Sequence, residues 1–158
     1  MASELLDVFH RNKNNSKVDA LYLWRMDDIT DDILGEILET VASSASHDVL
    51  EINLRFLPQV EKVPEALQLF NNIHWFNFNY MDGLKLLPTG SMVFSSNFVN
   101  EVNCCNNPNL EMIEPGAFQG TSVGIFVLRE NNLQKFDEAV FKPLLADSGA
   151  SIILQGSK

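Results

Sequence analysis

Three groups of side chains in this 158-residue chain could do chemistry: a run of acids, a pair of cysteines and three histidines. Between Asp27 and Glu39 lie six acids, Asp27, Asp28, Asp31, Asp32, Glu36 and Glu39, with no base among them. Such a run could draw a divalent cation. It lacks the alternating ligand spacing and tight glycine turn of a calcium loop. It reads instead as the solvated face of a helix, its first acids set against the helix dipole. Cys104 and Cys105 are adjacent, so a bond between them would be strained. No second Cys or His pair stands at ligand spacing, so no metal site is expected. His10, His47 and His74 fall in separate segments. No nucleophile elbow, phosphate loop, HExxH or dinucleotide-binding glycine pattern occurs. No catalytic residue and no cofactor is expected.

What does recur is a spacing. Val102-Asn103-Cys104-Cys105-Asn106-Asn107 aligns on Phe126-Val127-Leu128-Arg129-Glu130-Asn131 at an offset of 24 residues. Each has an apolar residue, an outward residue, a second apolar residue, two variable positions, then Asn. With the second apolar position as marker, the series is Leu23, Leu54, Phe78, Cys104, Leu128 and Leu154, at spacings of 31, 24, 26, 24 and 26. Two residues before each stands Leu21, Ile52, Phe76, Val102, Phe126 or Ile152. Three residues after the first five stands Met26, Leu57, Met81, Asn107 or Asn131. That is the leucine-rich-repeat signature, with a period in the expected window. It predicts an α/β solenoid: about 5.5 repeats, a parallel concave sheet of five or six short strands, and a convex side of short helices and turns. A strand-plus-turn unit cannot bury its apolar face alone, so neighbours must share one core.

The period-2 alternation of strands names the outward columns. One is Tyr22, Asn53, Asn77, Asn103, Val127 and Ile153. Beside it run Trp24, Arg55, Asn79, Cys105, Arg129 and Gln155, then Arg25, Phe56, Tyr80, Asn106, Glu130 and Gly156. Asn53, Asn77 and Asn103 can hydrogen-bond along their column. Cys104 should be buried and Cys105 exposed. Tyr22, Trp24, Phe56, Trp75 and Tyr80 place aromatics on the concave face of the first three repeats, where aromatics with Arg mark binding hot spots. The expected partner site is Tyr22, Trp24, Arg55, Phe56, Trp75, Asn77, Asn79 and Tyr80. Its chemistry suits a protein surface, or a glycan whose ring faces stack on the aromatics.

Residues 1–17 read as an N-terminal capping segment, with a short helix carrying Leu5, Leu6 and Phe9 after Ser3. Asn14-Asn15-Ser16 matches the N-glycosylation acceptor pattern, making Asn14 a candidate acceptor. Residues 18–158 form the solenoid. Its first return holds a true helix, capped by Thr30 and lined by Ile33, Leu34, Ile37, Leu38 and Val41. The second and third returns hold Pro64, Gly83, Pro88 and Gly90, so single turns or extended chain are expected there. Leu110, Ile113 and Phe118 supply the fourth return's core; Leu133, Phe136 and Phe141 supply the fifth's. Phe118 and Phe141 are expected at equivalent core sites, with Met92 in the same role one repeat earlier.

Leu110-Glu-Met-Ile-Glu-Pro-Gly-Ala-Phe-Gln-Gly120 resembles the return segment of extracellular leucine-rich repeats. The stretch from Leu133 to Leu145 is more particular. It resembles the last full repeat of arthropod secreted proteins similar to the non-catalytic subunit of Oplophorus luciferin 2-monooxygenase. In that family, residues such as Ile152 to Gly156 precede a Cys-x-Cys cap, which is lacking here. The resemblance covers residues 99–156. It implies secretion and a non-catalytic binding or scaffolding role.

Net charge is −10. An acidic protein of this kind suits neither nucleic acid nor an anionic membrane as a partner, since both need a basic face. No apolar run reaches 18 residues, so no transmembrane span is expected. No apolar h-region follows Met1, so no signal peptide is expected at this N-terminus. Without a cap, Ile152 and Leu154 would end the sheet as an open edge, which favours fraying or self-association.

Overall fold

The computed structural model describes residues 18–45, 48–147 and 149–156. The expected capping helix after Ser3, the acceptor Asn14, and His10 and His47 lie outside the described residues. Six strands form one parallel sheet: β1 (Ala20–Trp24), β2 (Glu51–Arg55), β3 (Trp75–Asn79), β5 (Val99–Asn103), β7 (Val123–Val127) and β8 (Ser151–Ile153). They lie side by side in chain order. The register follows the sequence period residue for residue. Tyr22 pairs Asn53, Asn53 pairs Asn77, Asn77 pairs Asn103, Asn103 pairs Val127, and Val127 pairs Ile153. The molecule is therefore an α/β structure with a six-stranded parallel sheet.

The returns differ in kind. The first carries α1 (Asp31–Ala45). Thr30 starts it: its Oγ1 accepts the Ile33 N–H at 3.5 Å, and its carbonyl accepts the Leu34 N–H at 2.9 Å. Leu34, Ile37, Leu38 and Val41 are buried on one face, as the spacing requires, while Ile33 is half-buried. Asp31 turns away from its own helix to accept the N–H groups of Glu61 and Lys62, tying the first return to the second. The second return holds only a 3-10 turn, Glu65–Leu69. The third and fourth hold β4 (Leu86–Leu87) and β6 (Met112–Ile113), which pair in parallel as a second, two-stranded sheet. The fifth carries α2 (Glu138–Asp147), a helix with Pro143 inside it.

One apolar core runs between the large sheet and the returns. Leu21, Leu23, Ile52, Leu54, Phe76, Phe78, Val102, Cys104, Phe126 and Leu128 are all buried. The return residues Val60, Val63, Leu84, Leu87, Met92, Leu110, Ile113, Phe118 and Leu133 meet them there. Three expectations need correction. Phe136 is exposed, because α2 begins just after it and turns its own Val140 and Leu144 inward. Phe141 packs beside Phe118, ring centroids 6.1 Å apart, but is only half-buried where a core site was expected. At the edge strand β8, where an open edge was expected, Leu154 is 43% exposed and Ile152 half-buried, with no strand beyond among the described residues. Cys105 is buried, 9% exposed, because its position lies past the end of β5.

That last correction reflects a rule obeyed by every turn of the sheet. Two residues after each buried marker the backbone enters the left-handed region: Arg25, Phe56, Tyr80, Asn106 and Glu130 have φ between 54° and 59°. Gly156 takes the sixth position at φ 71°, where an added Cβ would run into the Glu130 carboxylate. A non-glycine residue there costs roughly 1–2 kcal/mol. The strain is offset by hydrogen bonding. Each of these N–H groups donates to the next strand's segment: Arg25 to the Arg55 carbonyl (3.1 Å), Phe56 to Asn79 (3.2 Å), Tyr80 to Cys105 (3.1 Å), Asn106 to Arg129 (2.9 Å) and Glu130 to Gln155 (2.8 Å).

Phe118 is fully buried, its ring 4.5 Å from that of Phe126. Replacing it with Ala should cost about 3–5 kcal/mol of unfolding free energy in a urea titration. A loss under about 1 kcal/mol would show that the site collapses around the missing ring.

Candidate binding face

The returns cover one side of the sheet; the other side carries the outward columns. Tyr22 and Trp24 project from β1 and are 60% and 61% exposed. Trp75 begins β3 and is also exposed. From the strand spacing, Trp75 and Tyr22 stand roughly 12 Å apart, two strands over and two residues along. Arg55 and Asn53, both half-buried, face the β1 aromatics from β2. Together Tyr22, Trp24, Asn53, Arg55 and Phe56 line a recess of about 330 Å³.

The polar groups around this recess are mostly engaged. The Tyr22 hydroxyl donates to Glu51 Oε2 at 2.7 Å, and Asn53 Nδ2 donates to Glu51 Oε1 at 3.3 Å. The bond to Glu51 holds the Tyr22 phenol above its usual pKa, since the carboxylate stabilises the protonated form. Arg55 is different. Its Nε is enclosed and has no hydrogen-bond partner among the described residues. Such a buried, unmatched donor costs about 1–3 kcal/mol.

Phe56 and Tyr80 do not stand on the sheet face. They occupy the left-handed turn positions and stack face to face, ring centroids 4.3 Å apart and planes within 9°. The Arg25 guanidinium lies 5.3 Å over Phe56 and 5.0 Å over Trp24. Trp24, Arg25, Phe56 and Tyr80 thus form one continuous ridge along the carboxyl ends of the strands. Beyond it lies a second recess of about 330 Å³, lined by Arg25, Asp27, Phe56, Pro58, Tyr80 and Asp82.

Asn77 and Asn79 differ from the expectation of outward, ligand-facing amides. They are only 8% and 6% exposed. Asn77 Oδ1 accepts from Asn103 Nδ2 at 3.0 Å; Asn103 also reaches Glu101 at 2.7 Å. The column bond between Asn53 and Asn77 is replaced by the Asn53–Glu51 contact. Asn79 Oδ1 accepts the Cys105 N–H at 2.7 Å. It joins a buried amide series legible in the sequence only as the signature positions Asn107 and Asn131. Asn107 Oδ1 accepts the Met81 N–H at 2.9 Å, Asn131 Oδ1 accepts the Asn107 N–H at 3.0 Å, and Asn131 Nδ2 donates to the Cys104 carbonyl at 2.8 Å.

Of the eight expected site residues, the structure brings Tyr22, Trp24, Arg55 and Phe56 together. It sets Tyr80 beside them on the ridge, leaves Trp75 further along the sheet, and commits the two Asn residues to the fold. The unmatched Nε of Arg55 could not be read from sequence, because the acids near it in the chain are claimed by other donors only in three dimensions.

Both thiols are free. Burial is the main cause that pushes each above the usual cysteine pKa. Among the described residues, no group of three or more His, Cys, Asp or Glu side chains comes together to hold a metal ion. No helix among them is long and apolar enough to cross a membrane. No protein-family model, curated protein or solved structure matches the chain.

The thiols give a direct check. Cys104 and Cys105 should react with a maleimide reagent far more slowly in the folded protein than in denaturant, because burial shields them and suppresses the thiolate. Rapid native labelling of one thiol would mean that Cys105 faces solvent after all.

Proposed function

We propose that the chain is a leucine-rich-repeat solenoid that acts as a non-enzymatic binding module, recognising a protein partner through the open face of its sheet. The repeat reading is supported by six parallel strands in chain order, by a register that matches the sequence period, and by the buried Asn series at the signature positions. The resemblance to the arthropod non-catalytic subunit family stands beside it and carries the proposal of a secreted protein, with Asn14 as its glycan acceptor.

One observation carries the function: Tyr22 and Trp24 stand out from a sheet that has no use for them in its core. They flank a recess that also contains Arg55. Aromatics and Arg are the residue types that dominate interface energetics. A hydrogen-bonded parallel sheet holds them with little entropy left to lose on binding. The binding surface is therefore Tyr22, Trp24, Arg55 and Phe56, extended by Tyr80 along the ridge and by Trp75 across the sheet. A protein is favoured over a glycan because the neighbouring amides and Glu51, which would meet sugar hydroxyls, already bond one another.

The test is a display screen for protein ligands, followed by affinities of variants. Trp24→Ala and Tyr22→Ala should each weaken a selected ligand by about 2 kcal/mol, the hot-spot scale. Met112→Ala, exposed on the small sheet, should change nothing. Thermal transitions should stay within a few degrees of the parent throughout. Ligands insensitive to both aromatic substitutions would place binding elsewhere.

A further inference from the structure

The recess beside Trp24 is lined by Arg55, whose enclosed Nε has no hydrogen-bond partner among the described residues. Arg55 lies directly across from Trp24 in the β1–β2 register. The recess it lines is walled by the Trp24, Tyr22 and Phe56 rings. Acids are not scarce in this protein, which has 21 Asp and Glu against 11 Lys and Arg. The acid four residues before Arg55 on the same strand, Glu51, is held by Tyr22 and Asn53 instead. On the other side, Asn79 has its Oδ1 turned to the Cys105 N–H. The Glu51 carboxylate and the Asn79 amide oxygen are thus bonded to other groups, and Asn53 is turned to Glu51 through its Nδ2.

We propose that this recess takes a single carboxylate, carried on a Glu or Asp side chain of the protein partner. This rests on the reading of the face as a protein-binding surface and specifies its anchor. A carboxylate end-on to the two terminal guanidinium nitrogens makes paired, charge-assisted hydrogen bonds. It needs no movement of the enclosed Nε. The methylene stem of the acid then lies against the Trp24 and Tyr22 rings, which supply apolar area where the charge supplies direction. The same carboxylate on a sugar acid would bring hydroxyls into a site whose other polar groups are taken. A peptide side chain brings none.

Two-dimensional amide spectra of the ¹⁵N-labelled protein test this, because each indole N–H gives its own signal. The chain has two Trp residues, so Trp75 serves as the control for Trp24. The probes are N-acetyl-Glu-Phe-amide, N-acetyl-Gln-Phe-amide and glucuronic acid. The Glu dipeptide should shift the Trp24 signal saturably and bind about tenfold or more tightly than the Gln dipeptide, the scale of a hydrogen bond to a charged group. Arg55→Gln should make the two dipeptides equal, and Arg55→Lys should restore part of the preference. An unchanged Trp75 signal and melting curve would establish that both variants are folded. Equal binding of the two dipeptides to the parent protein overturns the carboxylate anchor. If Trp24→Ala then abolishes both, read from the backbone amide signals of the strand Glu51–Arg55, the binding face itself survives. Response to glucuronic acid alone overturns the peptide source. No response to any probe up to about 50 mM, where a lone charge-assisted contact should register, overturns the anchor outright. The protein-binding reading is judged separately by the display-selected ligands.

Discussion

A parallel strand that ends inside a stack leaves its next backbone groups without a partner unless the neighbouring chain supplies one. The whole structure depends on how that handover is made. Past each strand the chain turns left-handed at one residue, whose N–H still reaches the carbonyl of the next segment. In the middle of the stack, buried side-chain amides serve the backbone as well: Asn79, Asn107 and Asn131 accept N–H groups that would otherwise be orphaned. A buried unpaired amide costs more than an ordinary hydrogen bond contributes, so these positions fix the register as firmly as the apolar markers do.

The proposed binding face inherits its rigidity from this arrangement. Tyr22, Trp24 and Arg55 stand on strands whose every neighbour is in register, so their separation is set by strand spacing and not by loop conformation. The ridge is ordered differently, by side-chain stacking over the turn residues. The two features meet at Phe56, which lines both recesses.

The strand register was legible in the sequence because apolar pairs two residues apart recur at spacings of 24 to 31 residues, and successive pairs lie on neighbouring strands. The helix capped by Thr30 was legible for the same reason: its apolar residues follow a 3.6 period. Alternation failed where the strand ended. Extending the period of two beyond Asn103 put Cys105 on an open face, whereas the left-handed turn folds that position under Asn79 and Arg129. The same extrapolation put Phe56 and Tyr80 on the sheet face instead of the ridge. The helix Glu138–Asp147 was not read from the sequence; Pro143, its sixth residue, leaves the Ala139 carbonyl without its helical donor, so local propensity argues against the helix that packing forms. Phe136 then lost its place in the core to residues of that helix.

The left-handed turns have a consequence of direction. Their contribution to the stack is made by backbone atoms, so the side chain at each turn is chemically unconstrained, and six different ones occupy the series from Arg25 to Gly156. Read from β1 toward β8, the ridge passes from a guanidinium through two aromatic rings and an amide to the Glu130 carboxylate, about 19 Å away across four strand spacings. Such a line has a positive and a negative end. A charged chain laid along it meets attraction in one orientation and repulsion in the other, so the edge of the sheet carries a polarity that a ladder of identical turns would lack.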